Sequence, residues 1–271
     1  MSGETLIAVL PMYDFPWTAA ANDALWAAIS ARLAEAGVQS PTRLTRGGEL
    51  AALWRHPGLI LGQTCGYPYA SGLMDPVTLI AAPDYSFPGC EGASHRSFII
   101  QRVDDPRRAL CEFRGAVAAL NAHDSNTGMN LFRATIAPVA GGAPFFSSIV
   151  VSGSHEASAT AVAEGGADLA SIDCVSFALL GRGRPELIKR VAIVAESPLS
   201  PCLPFIASAS LPAPTIDAVR HALFAVLADP ILAETRAALG LAGARTATPG
   251  GYDRVIEIER NAAAMGYAQL E

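Results

Sequence analysis

The chain has 271 residues, of which 51% are hydrophobic and only 16% charged. That excludes a disordered chain, which needs low hydrophobicity and high net charge, and leaves material for one large or two medium domains. The net charge of −6 argues against a nucleic-acid binder, which carries a basic face. A small anionic ligand stays possible, because surface charge is screened beyond about 8 Å at physiological salt and the local pocket decides.

In chain order, Leu6–Leu10 reads as a buried strand closed by Pro11. Asn22–Ala36 reads as a helix, with Leu25, Ile29 and Leu33 at four-residue spacing and Gly37 as its cap. A short strand is expected at 42–45, a short helix at 49–54, and strands at Leu59–Gly62 and Val77–Ala82. This alternation marks an α/β layer. A second unit begins near Phe98. Strands at 116–120, 148–151, 168–172 and 191–194 alternate there with helices at 129–137 and 156–163. Pro198, Pro201 and Pro204 mark a crossing segment before a strand at 205–209, and helices follow at 215–227, 231–239 and 252–265, with Gly240 and Gly266 as caps.

No run of about 18 apolar residues occurs, so no transmembrane helix is expected. The first residues, Met1-Ser2-Gly3-Glu4-Thr5, lack the basic start of a signal peptide. The expected address is therefore the cytoplasm, or the periplasm if a leader was cut away. Five cysteines without CxxC spacing read as reduced thiols rather than a disulfide frame or a zinc site.

Several strands run into loops of small hydroxyl residues and glycine just before a helix. In open α/β sheets ligands bind beyond the carboxyl ends of strands, and amides at a helix start attract anions. Ser125-Asn126-Thr127-Gly128-Met129 has this form. Ser125 and Thr127 offer hydroxyls, and Gly128 allows close backbone approach. An ordinary helix cap uses the same residues. Ser152-Gly153-Ser154-His155 repeats the pattern with an imidazole, and Asp173 follows a strand where it can accept from a ligand or cap the next helix. Thr64 and Tyr67, after the strand ending at Gly62, and Tyr13 and Asp14, after the first strand, suit pocket walls as well as turns. No G-x-S-x-G elbow, Walker loop or glycine fingerprint after the first strand is present. Five scattered histidines make no metal cluster, and no cofactor is expected.

Taken in order, Leu10-Pro11-Met12-Tyr13-Asp14, Ser125–Gly128, Ser152–His155 with its helix, and Gly165-Gly166-Ala167-Asp168 through Asp173 resemble the phosphonate/phosphate-type substrate-binding proteins of ABC transporters. The match looks like a signal-less branch of that family. The resemblance implies the two-lobed type 2 periplasmic-binding-protein fold, an α/β architecture with a mixed sheet and flanking helices in each lobe and a cleft between lobes. It divides the chain into lobe 1, residues 1–98 plus 204–271, and lobe 2, residues 99–203. It assigns the ligand oxyanion to Ser125, Thr127 and Gly128 with Ser154, His155 and Asp173; Met129, next in the turn, is expected to join them, and Tyr13, Asp14, Thr64 and Tyr67 are expected to meet the rest of the ligand. The expected ligand is a phosphonate, phosphate ester or related acid, and the expected partner is an ABC transporter permease or a regulatory protein. Nucleic acid and direct membrane insertion are not expected. The competing reading is an enzyme on the same fold, with Cys65 or Cys174 as nucleophile and His155 as base.

Overall fold

The computed structural model describes residues 5–271. The chain forms two compact units. One holds the described residues up to Ser86 and then Cys202–Tyr252; the other holds Phe87–Pro201 and Asp253–Glu271.

The first unit opens with β1 (Ile7–Val9) and α1 (Ala19–Glu35). The four-residue spacing of Leu25, Ile29 and Leu33 does bury one face of α1. Thr18 anchors the helix entry by donating its hydroxyl to the Tyr13 carbonyl at 2.6 Å and accepting from the Phe15 amide at 2.9 Å. Then come α2 (Leu50–Trp54), whose first amides are capped by the Glu49 carboxylate, β2 (Leu59–Gln63), the single turn α3 (Gly66–Pro68) and β3 (Val77–Tyr85). The strand expected at 42–45 does not form. Only the Thr45 amide reaches β1, donating to the Ala8 carbonyl at 2.7 Å.

The second unit contains β4 (Cys90–Glu91), β5 (Ser94–His95), β6 (Ser97–Arg102) and β7 (Val117–Leu120). A π-helical turn over Asn126–Asn130 leads into α4 (Leu131–Ala140). There follow β8 (Ser148–Val151), α5 (His155–Glu164), β9 (Leu169–Asp173), α6 (Cys174–Gly183), α7 (Pro185–Ile188), β10 (Val191–Glu196) and β11 (Ser200–Pro201). The chain returns to the first unit for β12 (Phe205–Ser208), α8 (Ala213–Ala228), α9 (Ala233–Leu239) and β13 (Leu241–Arg245), and ends in the second with α10 (Asp253–Ala264).

Each unit is built on a five-stranded mixed sheet, ordered β1-β2-β12-β3-β13 in the first and β10-β6-β9-β7-β8 in the second. In the first, β1 and β2 are parallel, while β12 inserts antiparallel between β2 and β3. Phe205, Ile206 and Ala207 on this central strand are fully buried, as a strand covered on both sides requires. In the second, β7 is parallel to both β8 and β9, in registers Val117↔Ser148 and Ala118↔Leu169. A smaller sheet, β11-β5-β4, stands beside it in the same unit.

The division differs from the expected lobes at three places: residues 87–98 and 253–271 belong to the second unit, and residues 202–203 to the first. Side-chain bonding explains the second change. Buried Asn130 donates to the Val255 carbonyl at 3.0 Å, and buried Arg133 donates to the Ala268 carbonyl at 2.8 Å. The Phe145 amide reaches the Glu271 carbonyl at 2.6 Å. These bonds draw α10 and the chain end onto α4. For the first change, Phe98 is a strand residue of the second sheet, paired with Ile172, and Phe87 lies under the Arg182 guanidinium of α6.

Candidate functional site

Because β7, β8 and β9 run parallel, their carboxyl ends share one edge of the sheet. That brings together the segments after Leu120, Val151 and Ile172, which lie up to about fifty residues apart in sequence. Sequence proximity joins none of them; strand direction does.

The turn at 125–128 is a cap built for close packing. The Ser125 hydroxyl accepts from the Gly128 amide at 3.0 Å. Asn126, Thr127, Gly128 and Met129 are all buried. A side chain at Gly128 would collide with Asn121, whose Oδ1 would stand 1.8 Å from the new Cβ. The Thr127 carbonyl is fixed by two buried hydroxyls, Ser97 Oγ at 2.9 Å and Ser171 Oγ at 2.6 Å. Buried Asn126 donates to Ser200 Oγ at 2.9 Å and accepts from Asn130 at 3.1 Å. The turn is thereby immobilised before any ligand arrives, which lowers the ordering cost of binding.

The second segment meets the first directly: Thr127 Oγ1 lies 3.0 Å from His155 Nε2. His155 is the first residue of α5 and partly buried. Burial lowers its pKa, outweighing the upward pull of Asp173 and the Ser171 carbonyl. The ring is therefore neutral at pH 7. Ser154 caps α5, its hydroxyl accepting from the Ala157 amide at 3.0 Å, and is exposed. Ser152 braces the loop through Ser158 Oγ at 2.6 Å.

Asp173 is buried at the end of β9 and caps α6, accepting from the Ser176 amide at 2.8 Å. Its other oxygen lies 2.9 Å from Nδ1 of His95, a residue with no exposure to solvent. Burial opposes charge on both partners, yet their attraction wins: the carboxylate pKa is lowered and the imidazole pKa raised. The pairing beneath the site therefore favours the protonated form of His95 and the ionised form of Asp173. Sequence reading missed His95, Ser97 and Ser171, and named Asn126 only as part of its turn. The first three lie in unremarkable local contexts and acquire a role only through sheet pairing, so no local signal marks them.

In the first unit Tyr13 is buried, with its ring edge-on to Tyr85 at 5.3 Å. Asp14 is engaged by Arg46, with Nε at 2.6 Å and Nη2 at 3.1 Å, and accepts from Asn22 at 3.0 Å. Thr64 is fully buried, its amide bound to the Pro204 carbonyl at 3.1 Å. Tyr67 is partly buried on α3. The thiol of Cys174 is pushed far up by the Cys90 thiol beside it and by burial, which leaves little free thiolate unless a neighbouring group takes its proton. Among the described residues no group of three His, Cys, Asp or Glu is placed to hold a metal ion, and no helix is long and apolar enough to cross a membrane.

Two α/β units on mixed sheets, joined by a chain that crosses three times, make the two-lobed periplasmic-binding-protein fold. Residues 8–252 match the family model for the phosphonate periplasmic substrate-binding protein of ABC transporters, and the chain belongs to that family. Solved structures agree on the fold. The chain resembles a binding protein component of an ABC phosphonate transporter from Pseudomonas aeruginosa, at 15% identity and TM-score 0.76, over 97% of this chain and 88% of that one. It resembles PhnD1 from Prochlorococcus marinus in complex with methylphosphonate, at 13% identity and TM-score 0.76, over 96% and 99%. It is also similar to XAC2383 from Xanthomonas citri bound to chloride, at 14% identity and TM-score 0.73, over 97% and 99%. No curated protein matches the chain by sequence.

Proposed function

We propose that this protein binds a small oxyanion, a phosphonate, phosphate ester or related acid, and works as a transport-linked or sensing solute-binding protein. The observation that carries this is the Thr127–His155 contact of 3.0 Å at the edge where three parallel strands end. His155 Nε2 and Thr127 Oγ1 hold each other in place, and the threonine hydroxyl is thereby fixed beside the 125–128 turn. Hydroxyls and amides suit an oxyanion without needing a lysine, because a helix start already favours negative charge. Ser125, Gly128 and Met129 shape the turn, Ser154 and His155 flank it, and Asp173 sets the charge behind it. Tyr13, Asp14, Thr64 and Tyr67 are the proposed contacts to the remainder of the ligand.

Two kinds of finding support the reading. The family is that of periplasmic substrate-binding components, and similar folds carry methylphosphonate in one case and malate in another. The proposed partner is accordingly an ABC transporter permease, with the periplasm as the place of work.

Titration calorimetry with methylphosphonate, inorganic phosphate and a phosphate monoester tests the proposal. At least one should bind, and Thr127→Ala should then weaken it by about 1.5 kcal/mol, roughly tenfold in Kd, as expected for a lost hydrogen bond to a charged oxygen. Failure of all three probes, together with no anion released from freshly purified protein in native mass spectrometry, would overturn it.

A further inference from the structure

The small sheet of the second unit holds a feature that anion binding does not use. Cys90 opens β4 and is half-buried; Cys174 opens α6 and is fully buried. Their Sγ atoms are 3.5 Å apart, although 84 residues separate them in sequence. Gly89, at φ +90°, lets the chain lie directly on Cys174: a Cβ at Gly89 would be 2.8 Å from the Cys174 Cβ and 2.9 Å from Phe98 Cζ. β4 is also fixed by its pairing with β5, Cys90 opposite His95, and His95 contacts Asp173, the neighbour of Cys174. Both thiols are thus held in place by separate structural ties. The sulfurs need to approach by only about 1.5 Å to reach disulfide bonding distance.

We infer that Cys90 and Cys174 are a reversible disulfide site. The oxidant is a disulfide, of a small thiol or of a dithiol oxidoreductase. The Cys90 thiolate, the more accessible of the two, attacks it, forming a mixed disulfide and expelling one thiolate. The Cys174 sulfur then attacks Cys90 Sγ. The protein disulfide forms, the second thiolate leaves, and the Cys174 proton passes to it. Two protein thiols are oxidised and one disulfide is reduced to two thiols, so the exchange balances. The bond would tie β4, which begins three residues after the chain enters the second unit at Phe87, to the start of α6. Closing so long a loop removes much entropy from the unfolded chain. This site stands independently of the ligand proposed above.

The test uses the full chain, purified in reductant and then incubated with oxidised glutathione. Free thiols are alkylated in acid-quenched denaturant and tryptic peptides are mapped. The expected product is peptide 56–96 linked to peptide 134–182; the first carries Cys65 and Cys90, the second only Cys174. The link should persist in Cys65→Ser and vanish in Cys90→Ser. Oxidation should raise the melting temperature of the native sequence by about 5 °C or more and leave that of Cys90→Ser unmoved. Two unlinked peptides after oxidation, or a link that survives Cys90→Ser, would overturn the assignment.

Discussion

Replacing Asp173 with alanine should cost about 3–5 kcal/mol of stability, the effect of stripping one partner from a buried ion pair. The carboxylate serves two buried acceptor roles at once, facing His95 at 2.9 Å and capping the Ser176 amide at 2.8 Å. Without it the His95 cation has no counter-charge, and α6 loses its cap. The pH dependence separates these two losses. The pKa of Asp173 is lowered on folding, so its contribution is complete above the ordinary carboxylate value and disappears as pH falls through the depressed one. The pKa of His95 is raised, so its contribution is complete below the ordinary imidazole value and disappears as pH rises through the elevated one. The pair therefore stabilises most between about pH 4 and 6.5. His155 works against it there: its lowered pKa means the unfolded chain takes up a proton first as the solution is acidified. Asp173→Asn keeps much of the cap and removes the charge. Guanidinium unfolding of native protein and Asp173→Asn should show a gap that is widest near about pH 5.5 and narrows at alkaline pH. A gap that does not change with pH would show that the carboxylate acts as a cap alone.

Local patterns were enough to read much of this molecule. The α/β alternation, the buried face of α1 and the turns at 125–128 and 152–155 all follow from spacing or loop composition within a few residues. The unread parts share a physical character. β4, β5 and β11 have two residues each, too few to show a period. β13, Leu241–Arg245, contains Gly243 and no β-branched residue, so nothing in it favours a strand except the neighbour it pairs with. The chain end joins the second unit through Asn130 and Arg133, more than a hundred residues earlier. The same holds in the site. Thr127 and His155 stand in recognisable loops, and the expectation that they act together rested on a family resemblance; their 3.0 Å contact comes from the parallel order of β7, β8 and β9. His95, Ser97 and Ser171 have no local motif, because what they stabilise, a carboxylate and a carbonyl, is delivered by other strands.

The second large effect is expected at Gly128, where alanine should destabilise the protein by about 1–3 kcal/mol, as overpacking does, and also weaken anion binding more than tenfold. The added Cβ would stand 1.8 Å from Asn121 Oδ1, 2.8 Å from its Cγ and 3.2 Å from Ser125 Oγ. The backbone cannot absorb this by sliding, because the preceding carbonyl is pinned by Ser97 and Ser171 and the following segment by Asn130. Asn121 or the Ser125 cap must give way, and either moves the turn proposed to hold the anion. The buried Asn121 Oδ1 makes no hydrogen bond of its own, so Asn121→Ala alone should cost little. The double variant Asn121→Ala/Gly128→Ala should then recover most of the loss, because the clash is removed at its far side. A double-mutant cycle measured by thermal unfolding and by calorimetry with the tightest of the three anion probes reads the coupling directly. Additive single effects would mean that Gly128 is required for a reason other than Asn121. Strong coupling in stability with no recovery of affinity would place the turn's geometry, rather than its packing, in control of the anion.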